Sequence, residues 1–260
     1  MDTCSTDKIT IRKITQSVAK EVIIKNHYTH AWTACKHSLG IYHKVSDSVF
    51  GDEKLIGVVI YGHPVGRLAH SSVSPEIKQH EILELTRLWI EDGWGKNIES
   101  YSISQSFKWL KENDKDIKVL LSYADVGQNH NGTIYQATNW LYQGLNYDIK
   151  FMEDYKISLS EKGDEWIHQR TMSSRWGSCG IDVLKQKLAE EGYTEFWRKK
   201  DKPKHRYIYI LTDNKKDKKK ILNTLKHPTK PYPKETIRGE DEIEHFYTNK
   251  EKVDNGSNFW

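Results

Sequence analysis

"KVLLSYADVGQNHNGTIYQATNWLYQG", Lys118 to Gly144, decides the fold class. Its opening residues, 118–125, form a short and nearly continuous apolar run, the pattern of a strand buried on both faces. Such a strand needs layers above and below it, so the chain reads as α/β. The run ends in Ser122, Tyr123, Ala124 and Asp125, which brings a hydroxyl and a carboxylate to the edge of a sheet. A polar loop with Asn129, His130 and Asn131 follows, then a helix predicted from Gly132 that stops at Gly144 and carries Tyr135, Gln136 and Asn139. A stretch that served only the core would have little use for so many hydrogen-bonding side chains at one strand end. The block is therefore a candidate site, set against plain loop capping.

Outward from this strand, the pattern alternates strands and helices. "ITIRKI" (9–14) alternates apolar and polar positions, and Ser17 is placed to cap a helix whose Val18, Ala19, Val22 and Ile23 share a face. Strands are predicted over 37–43 and 54–62 with a hairpin-like connection, and over 82–91. A helix over 98–110, capped by Asn97, groups Ile98, Ile103, Phe107 and Leu110. Residues 148–159 read as a further strand, 205–211 as a late strand, 215–226 as a basic helix and 228–234 as a proline-stiffened exit. Early antiparallel strands followed by βα units predict a mixed sheet with helices on both faces. The expected organisation is a core over 1–159, a polar, Gly-punctuated insertion over 160–204, completion of the core by 205–238, and a mobile tail over 239–260.

Composition bounds the setting. The 260 residues carry 40 basic and 36 acidic side chains, so net charge alone names no partner. Three cysteines without a CxxC pair point to a reducing compartment, and no apolar run approaches the ~20 residues that span a bilayer. A soluble cytoplasmic protein is expected, with no membrane partner. Nine Trp and fourteen Tyr beside six Phe suit base stacking as well as a core.

Other residues stand out against this frame. Asn26, His27 and Tyr28 end the first helix in polar groups, where His favours the helix dipole or serves a site. Arg87 interrupts an apolar strand and either meets Glu84 or Glu91 or lines a pocket. "DGWGKN" offers Gly93, Gly95, Lys96 and Asn97 at a helix N-terminus, a tight turn or a phosphate cradle. Residues 202–234 hold eleven Lys/Arg against two Asp, either a DNA-contacting surface or a solvated face. His27, His30, Cys35 and His37 lie close in sequence, but their spacing fits no common zinc pattern, and no metal ligands are assigned.

Taken together, "NHYTHAW", "LELTRLWIEDGWGKN", "LLSYADVGQNHNGTIYQATNWLYQG" and the late "KHRYIYIL…PYPK" resemble the phage Mom-type DNA adenine modification family, a divergent branch of the GNAT acyltransferase fold. The resemblance implies a GNAT-like mixed sheet and transfer of a carbamoylmethyl or methylcarbamoyl-type group to adenine N6 in double-stranded DNA, which blocks host restriction. It also implies acetyl-coenzyme A or a related acyl donor, work in the host cytoplasm if phage-encoded, and iron as a further expectation. His27, Tyr28, Ser122, Asp125 and Tyr135 become catalytic candidates, with Asp125 taking the N6 proton or orienting His27. Arg87, Gly93, Gly95, Lys96 and Asn97 become donor-binding candidates. Asn26, Asn129, His130, Gln136 and Asn139 become candidates for reading the base, since Asn and Gln suit adenine's N6/N7 edge. Lys204, Arg206, Tyr207, Lys215, Lys216 and Lys219 become candidates for contacting DNA. The usual phosphate loop, Q/R-x-x-G-x-G/A, is replaced here by "GWGKN". The competing expectations are an acyltransferase for a small or protein amine and a non-catalytic DNA-binding protein.

Overall fold

The computed structural model describes residues 6–45, 52–147, 154–161, 163, 165–235 and 241–248. The chain divides into two compact units, residues 1–146 with 204–236, and residues 147–203 with 237–260. In chain order the first unit holds β1 (Ile9–Lys13), α1 (Gln16–Asn26), β2 (His37–Lys44), β3 (Glu53–Gly62), α2 (Ala69–Val73), β4 (Ile82–Ile90), α3 (Ile98–Asn113), β5 (Val119–Asp125), α4 (Thr133–Ala137) and β6 (Leu141–Leu145). The second unit supplies β7 (Tyr155–Ser158), β8 (Ile167–His168), α5 (Gln169–Trp176), α6 (Ile181–Glu190) and β9 (Glu195–Lys200). The chain returns to the first unit as β10 (Lys204–Ile210) and α7 (Lys215–Asn223), and β11 (Ile243–Tyr247) belongs to the second.

The first unit is a seven-stranded mixed sheet in the order β1-β2-β3-β4-β5-β10-β6. Within it only β4 and β5 run parallel; every other neighbouring pair is antiparallel. Helices cover both faces. On one face Ile98, Ile103, Phe107 and Leu110 of α3 pack on Leu39, Ile41, Leu83, Leu120 and Tyr207. On the other, Ala19 and Ile23 of α1 cover Val58 and Ile60, while Ile221 of α7 covers Val119, Leu121 and Ile208. The mixed, helix-flanked sheet expected from the sequence is thus what the chain forms. Among the described residues no helix is long and apolar enough to cross a membrane.

Several local expectations are corrected. The cap of α1 is Thr15, whose hydroxyl accepts from Val18 N–H, and Ser17 sits inside the first turn. Asn97 does precede α3, but in a left-handed conformation (φ 67°) and with no side-chain capping bond. The helix from Thr133 stops at Ala137 rather than Gly144. Asn139 turns the chain with φ 60°, Trp140 enters the core, and 141–145 become an edge strand on β10. Burying Trp140 fully among Phe107, Tyr135 and Tyr209 outweighs the helical pattern that continued through it.

The stretch read as one strand over 148–159 is described only in part: 148–153 lie outside the described residues, and Tyr155–Ser158 pairs within a separate sheet. That sheet, ordered β11-β9-β7-β8, is the backbone of the second unit. Its core of Ile157, Met172, Trp176, Leu184, Leu188 and Phe196 turns the expected polar insertion into a folded layer. The signal was present in the i, i+4 pairs Met172/Trp176 and Leu184/Leu188, masked by the polar residues between them. Part of the expected mobile tail is likewise ordered: Ile243–Tyr247 pairs with β9, whereas 236–240 and 249–260 lie outside the described residues.

A candidate active-site cleft where the parallel strands part

β4 and β5 pair over three positions only, Ile82 to Glu84 against Val119 to Leu121. The register of β4 on β3 shows why the ladder ends there. Ile60 faces Arg87 and Tyr61 faces Leu85, so Thr86 is an extra residue, a β-bulge. Leu83 and Leu85 point into the core under α3. Simple alternation would send Arg87 the same way, but the bulge moves it to the opposite face, where its Nη2 reaches Ala31 O at 3.4 Å just past α1. The bulge therefore both parts the strands and re-aims the arginine.

The opening is held by a strut. Ser122 Oγ lies 2.9 Å from Leu85 O and 2.8 Å from Tyr135 Oη. A carbonyl can only accept, so the Ser122 hydroxyl donates to Leu85 and Tyr135 donates to Ser122. Burial pushes the Tyr135 phenol well up, which keeps it protonated. Between the parted strands lies a cavity of about 280 Å³, lined by His27 and Tyr28 from α1, Leu85 to Leu88 from β4, Tyr123 to Asp125 from β5, and Asn129 to Tyr135 beyond it.

The first helix and the second strand tip do meet: His27, Tyr28 and Asp125 border this one cavity. His27 is buried at the end of α1 and its ring stacks on Tyr28, centroids 4.3 Å apart. Its Nδ1 accepts from Thr29 N–H at 3.2 Å, which puts the ring proton on Nε2. Burial, and then the charge of Arg87, bring its pKa down to about 4. That value leaves His27 neutral at pH 7, outside the range expected for proton exchange near neutrality, with its ring N–H on Nε2. Tyr28 is 47% exposed and meets His130 edge-on at 5.8 Å, an aromatic wall open to a flat ligand.

Asp125 caps the turn after β5, its Oδ1 accepting from Gly127 N–H at 2.8 Å. Arg87 donates to Thr86 O at 2.7 Å, its Nε is buried without a partner, and burial lowers its pKa. Arg87 lines the pocket wall and its charge is also favoured by Glu84, whereas Glu91 is bonded instead to Lys54 and Trp94. Asn129 and His130 line the cavity from the loop, Asn129 in a left-handed turn.

Other candidates lie elsewhere. Ser122 is fully buried behind the wall as the strut just described. Asn26 is exposed and its amide donates to Val22 O within α1. Gln136 braces the loop by donating to Asn131 O and Tyr207 Oη. Asn139 is exposed in the turn before β6. Gly93, Gly95, Lys96 and Asn97 form an exposed turn ahead of α3 that is not part of the cavity lining.

Among the DNA-contacting candidates, Arg206 and Tyr207 are corrected outright, being 1% and 0% exposed. Tyr207 donates to Asn131 O and packs so closely on Gly132 (φ 74°) that a Cβ there would run into its ring. Lys204 opens β10 opposite Asp125, at the cleft end of the sheet. Lys215, Lys216 and Lys219 are exposed on α7, which starts at the other end beside Lys118.

The clustered His and Cys residues disperse: His30 binds Ile24 O, His37 binds Asp114, and burial raises the Cys35 thiol. Among the described residues no three His, Cys, Asp or Glu side chains gather as a metal site, so the residues present do not fit iron. Thr86 and Tyr123 escaped sequence reasoning. The bulge has no local signal, and Tyr123 was visible only as part of "SYAD".

Among solved structures, a spermidine/spermine N-acetyltransferase from Vibrio cholerae aligns at 8% identity over 79% of this chain and 94% of its own, with a TM-score of 0.42. An N-acetyltransferase from Staphylococcus aureus Mu50 aligns at 12% identity over 78% and 97%, with a TM-score of 0.38. Among curated proteins, the methylcarbamoylase mom of Escherichia phage Mu is 26% identical over 232 residues, 87% of this chain and 84% of that one. The Mom protein family model matches residues 8–234, which takes in the whole first sheet and most of the second unit, and the chain belongs to that family.

Proposed function

We propose that this protein is a DNA-modifying transferase that places a carbamoylmethyl or methylcarbamoyl-type group on adenine N6 and so shields phage DNA from host restriction. The observation that carries the reading is the meeting of a carboxylate, a cation and an aromatic wall, Asp125, Arg87 and Tyr28 with His130, around one cavity. The name of the phage Mu relative, a methylcarbamoylase, supports the group transferred. The cavity, about 280 Å³, lies near the lower end of the ~300–1,000 Å³ usual for small-molecule sites, room for a base and a small group.

Adenine N6 is a weak nucleophile inside the duplex, and the base must leave the stack at a cost of a few kcal/mol. Stacking on one aromatic ring returns about 1–3 kcal/mol. Tyr28, half exposed and braced by His27 and His130, is the surface for it. Asp125 accepts a hydrogen bond from the N6 amine and raises its nucleophilicity, while the neutral His27 donates through Nε2. Arg87 meets the negative charge that develops on the transferred group or arrives with the donor. A coenzyme A-type acyl donor would place its phosphates at the turn of Gly93, Gly95, Lys96 and Asn97, where α3 presents unpaired N–H groups. No step is assigned to iron.

The test is nucleoside analysis by mass spectrometry of DNA from cells expressing the protein. A mass-shifted deoxyadenosine is expected, and Asp125→Asn should lower it by about 10²–10⁴-fold while fold and DNA affinity stay nearly intact. Unmodified nucleosides with the native protein, or acyl transfer to amines without DNA, would replace this reading by one of its competitors.

A further inference from the structure

Arg206 lies on β10, between β5 and the edge strand β6, and is 1% exposed. Its Nη2 donates to Ser72 Oγ at 2.9 Å and its Nη1 to Ser72 O at 3.5 Å, while Nε is buried without a partner. Burial drives its pKa down, and the one group that favours its charge is Tyr123. Removing a cation from water costs several kcal/mol, and buried charges are as a rule paired with an opposite charge.

Tyr123 stands directly opposite Arg206 in the β5–β10 ladder. Opposed residues share a face, with Cβ atoms about 4.5–5.5 Å apart. On that face both sit beside Leu121 and Ile208, and Tyr123 also lines the cavity. The other titratable groups there are Glu84 and Arg87 from β4, His27 and Tyr28 just past α1, Asp125 at the tip of β5 and His130 from the loop. Burial, and then the charges of Arg206 and Lys226, lower the pKa of His227.

We propose that Tyr123 is a proton-accepting residue of the cleft and that Arg206 is the counter-ion of its phenolate. The role of the proton rests on the proposed amine substrate. As N6 bonds to the transferred carbon, the bond from that carbon to its leaving group breaks and the electron pair departs with the leaving group. N6 sheds one of its two protons to the Tyr123 oxygen, which becomes a phenol, and keeps the other, hydrogen-bonded to Asp125. Arg206 acts through Tyr123 and is a positioning residue.

The test is a pH titration of the full-length protein carrying ¹³C at the tyrosine ζ carbon, followed by NMR. One tyrosine should ionise clearly below the ordinary value of about 10. That signal should vanish in Tyr123→Phe, return to about 10 or higher in Arg206→Met, and stay low in Arg206→Lys. A native protein with no tyrosine below that value, or a low signal that survives Tyr123→Phe, overturns the proposal. Should Arg206→Met not fold, the native protein, Tyr123→Phe and Arg206→Lys still decide it. In cells, Tyr123→Phe should cut modified deoxyadenosine by about 10²–10⁴-fold, the usual worth of a positioned acid or base. Because the titration uses no substrate, a low Tyr123 in a protein that leaves DNA unmodified keeps the ion pair and removes the adenine reading. Modified DNA with an ordinary Tyr123 removes the ion pair alone.

Discussion

At one end of the seven-stranded sheet, Asp125, Arg87, Tyr28 and His130 converge on a cavity. At the other end, α7 begins beside Lys118 and displays Lys215, Lys216, Lys218 and Lys219 to solvent. The two ends are separated by β5; the seven steps from Lys118 to Asp125 at ~3.3 Å each span about 23 Å. Both regions are polar, and both drew attention in the sequence, yet they differ in kind. The cleft holds few charges, half-buried, with Arg87 aimed inward by the bulge at Thr86 and Asp125 set at the tip of β5. The helix holds many, hydrated and unconstrained except where Lys118 meets Asp217 and Lys220 meets Glu76. Chemistry requires the first arrangement, since desolvation strengthens each interaction, whereas a dense solvated charge gives long-range attraction without selectivity.

This contrast can be broken most directly at the cleft. Asp125→Asn should lower modified deoxyadenosine by about 10²–10⁴-fold, with unfolding by denaturant unchanged; a variant that still modifies DNA would show that the carboxylate is only a turn cap. At the opposite end the effects should invert. Ile221 is the residue by which α7 is anchored, 2% exposed in the core with Val119 and Ile208. Ile221→Ala should cost about 2–5 kcal/mol in chemical denaturation, while the molecules that remain folded modify DNA at the native rate. Reversing Lys215, Lys216 and Lys219 to Glu should leave turnover at saturating DNA unaltered. If those lysines touch phosphates, the slope of log affinity against log salt becomes shallower by ~0.9 for each phosphate that is no longer neutralised. An unchanged slope would assign them to solvent and leave the duplex at the cleft end near Lys204.

The smallest expected effect concerns the neutral wall of the cleft. The folded-state pKa of His27 is about 4, below the unfolded value of about 6.5, so the unfolded chain binds the extra proton between these limits. Its contribution to stability is therefore complete above about pH 6.5 and is lost as pH falls toward 4. Replacing His27 by Asn should flatten the stability profile in that window by up to about 1.4 kcal/mol per pH unit. The same slope in both proteins would show that His27 is hydrated, and not the buried donor described.

Much of the site was legible in sequence. Asp125 follows from a buried strand that ends in a carboxylate, and the polar loop announced Asn129 and His130. What sequence did not separate was orientation. Ser122, Gln136 and Tyr207 belong to the same dense block or its neighbour strand, but they are spent on holding it: a strut to Leu85, a brace to Asn131, a ring against Gly132. Side chains alternate along a strand, so a one-residue difference in position separates the cavity from the core. Arg206 illustrates the same limit, since a basic residue in a basic segment reads as surface until its neighbours are known. The helix expected through Trp140 failed for a related reason, because its pattern is local and the core that claims the indole is not.

Sequence by itself determined the α/β class, the buried central strand and the polar character of its tip, because hydrophobic period and turn residues act over a few positions. Tertiary structure alone decided that His27 and Asp125, 98 residues apart, border one cavity, that Thr86 turns Arg87 into the cleft, and that Arg206 lies buried opposite Tyr123. Those outcomes depend on strand register and on which element covers which face, and both are settled by the packing of the whole sheet.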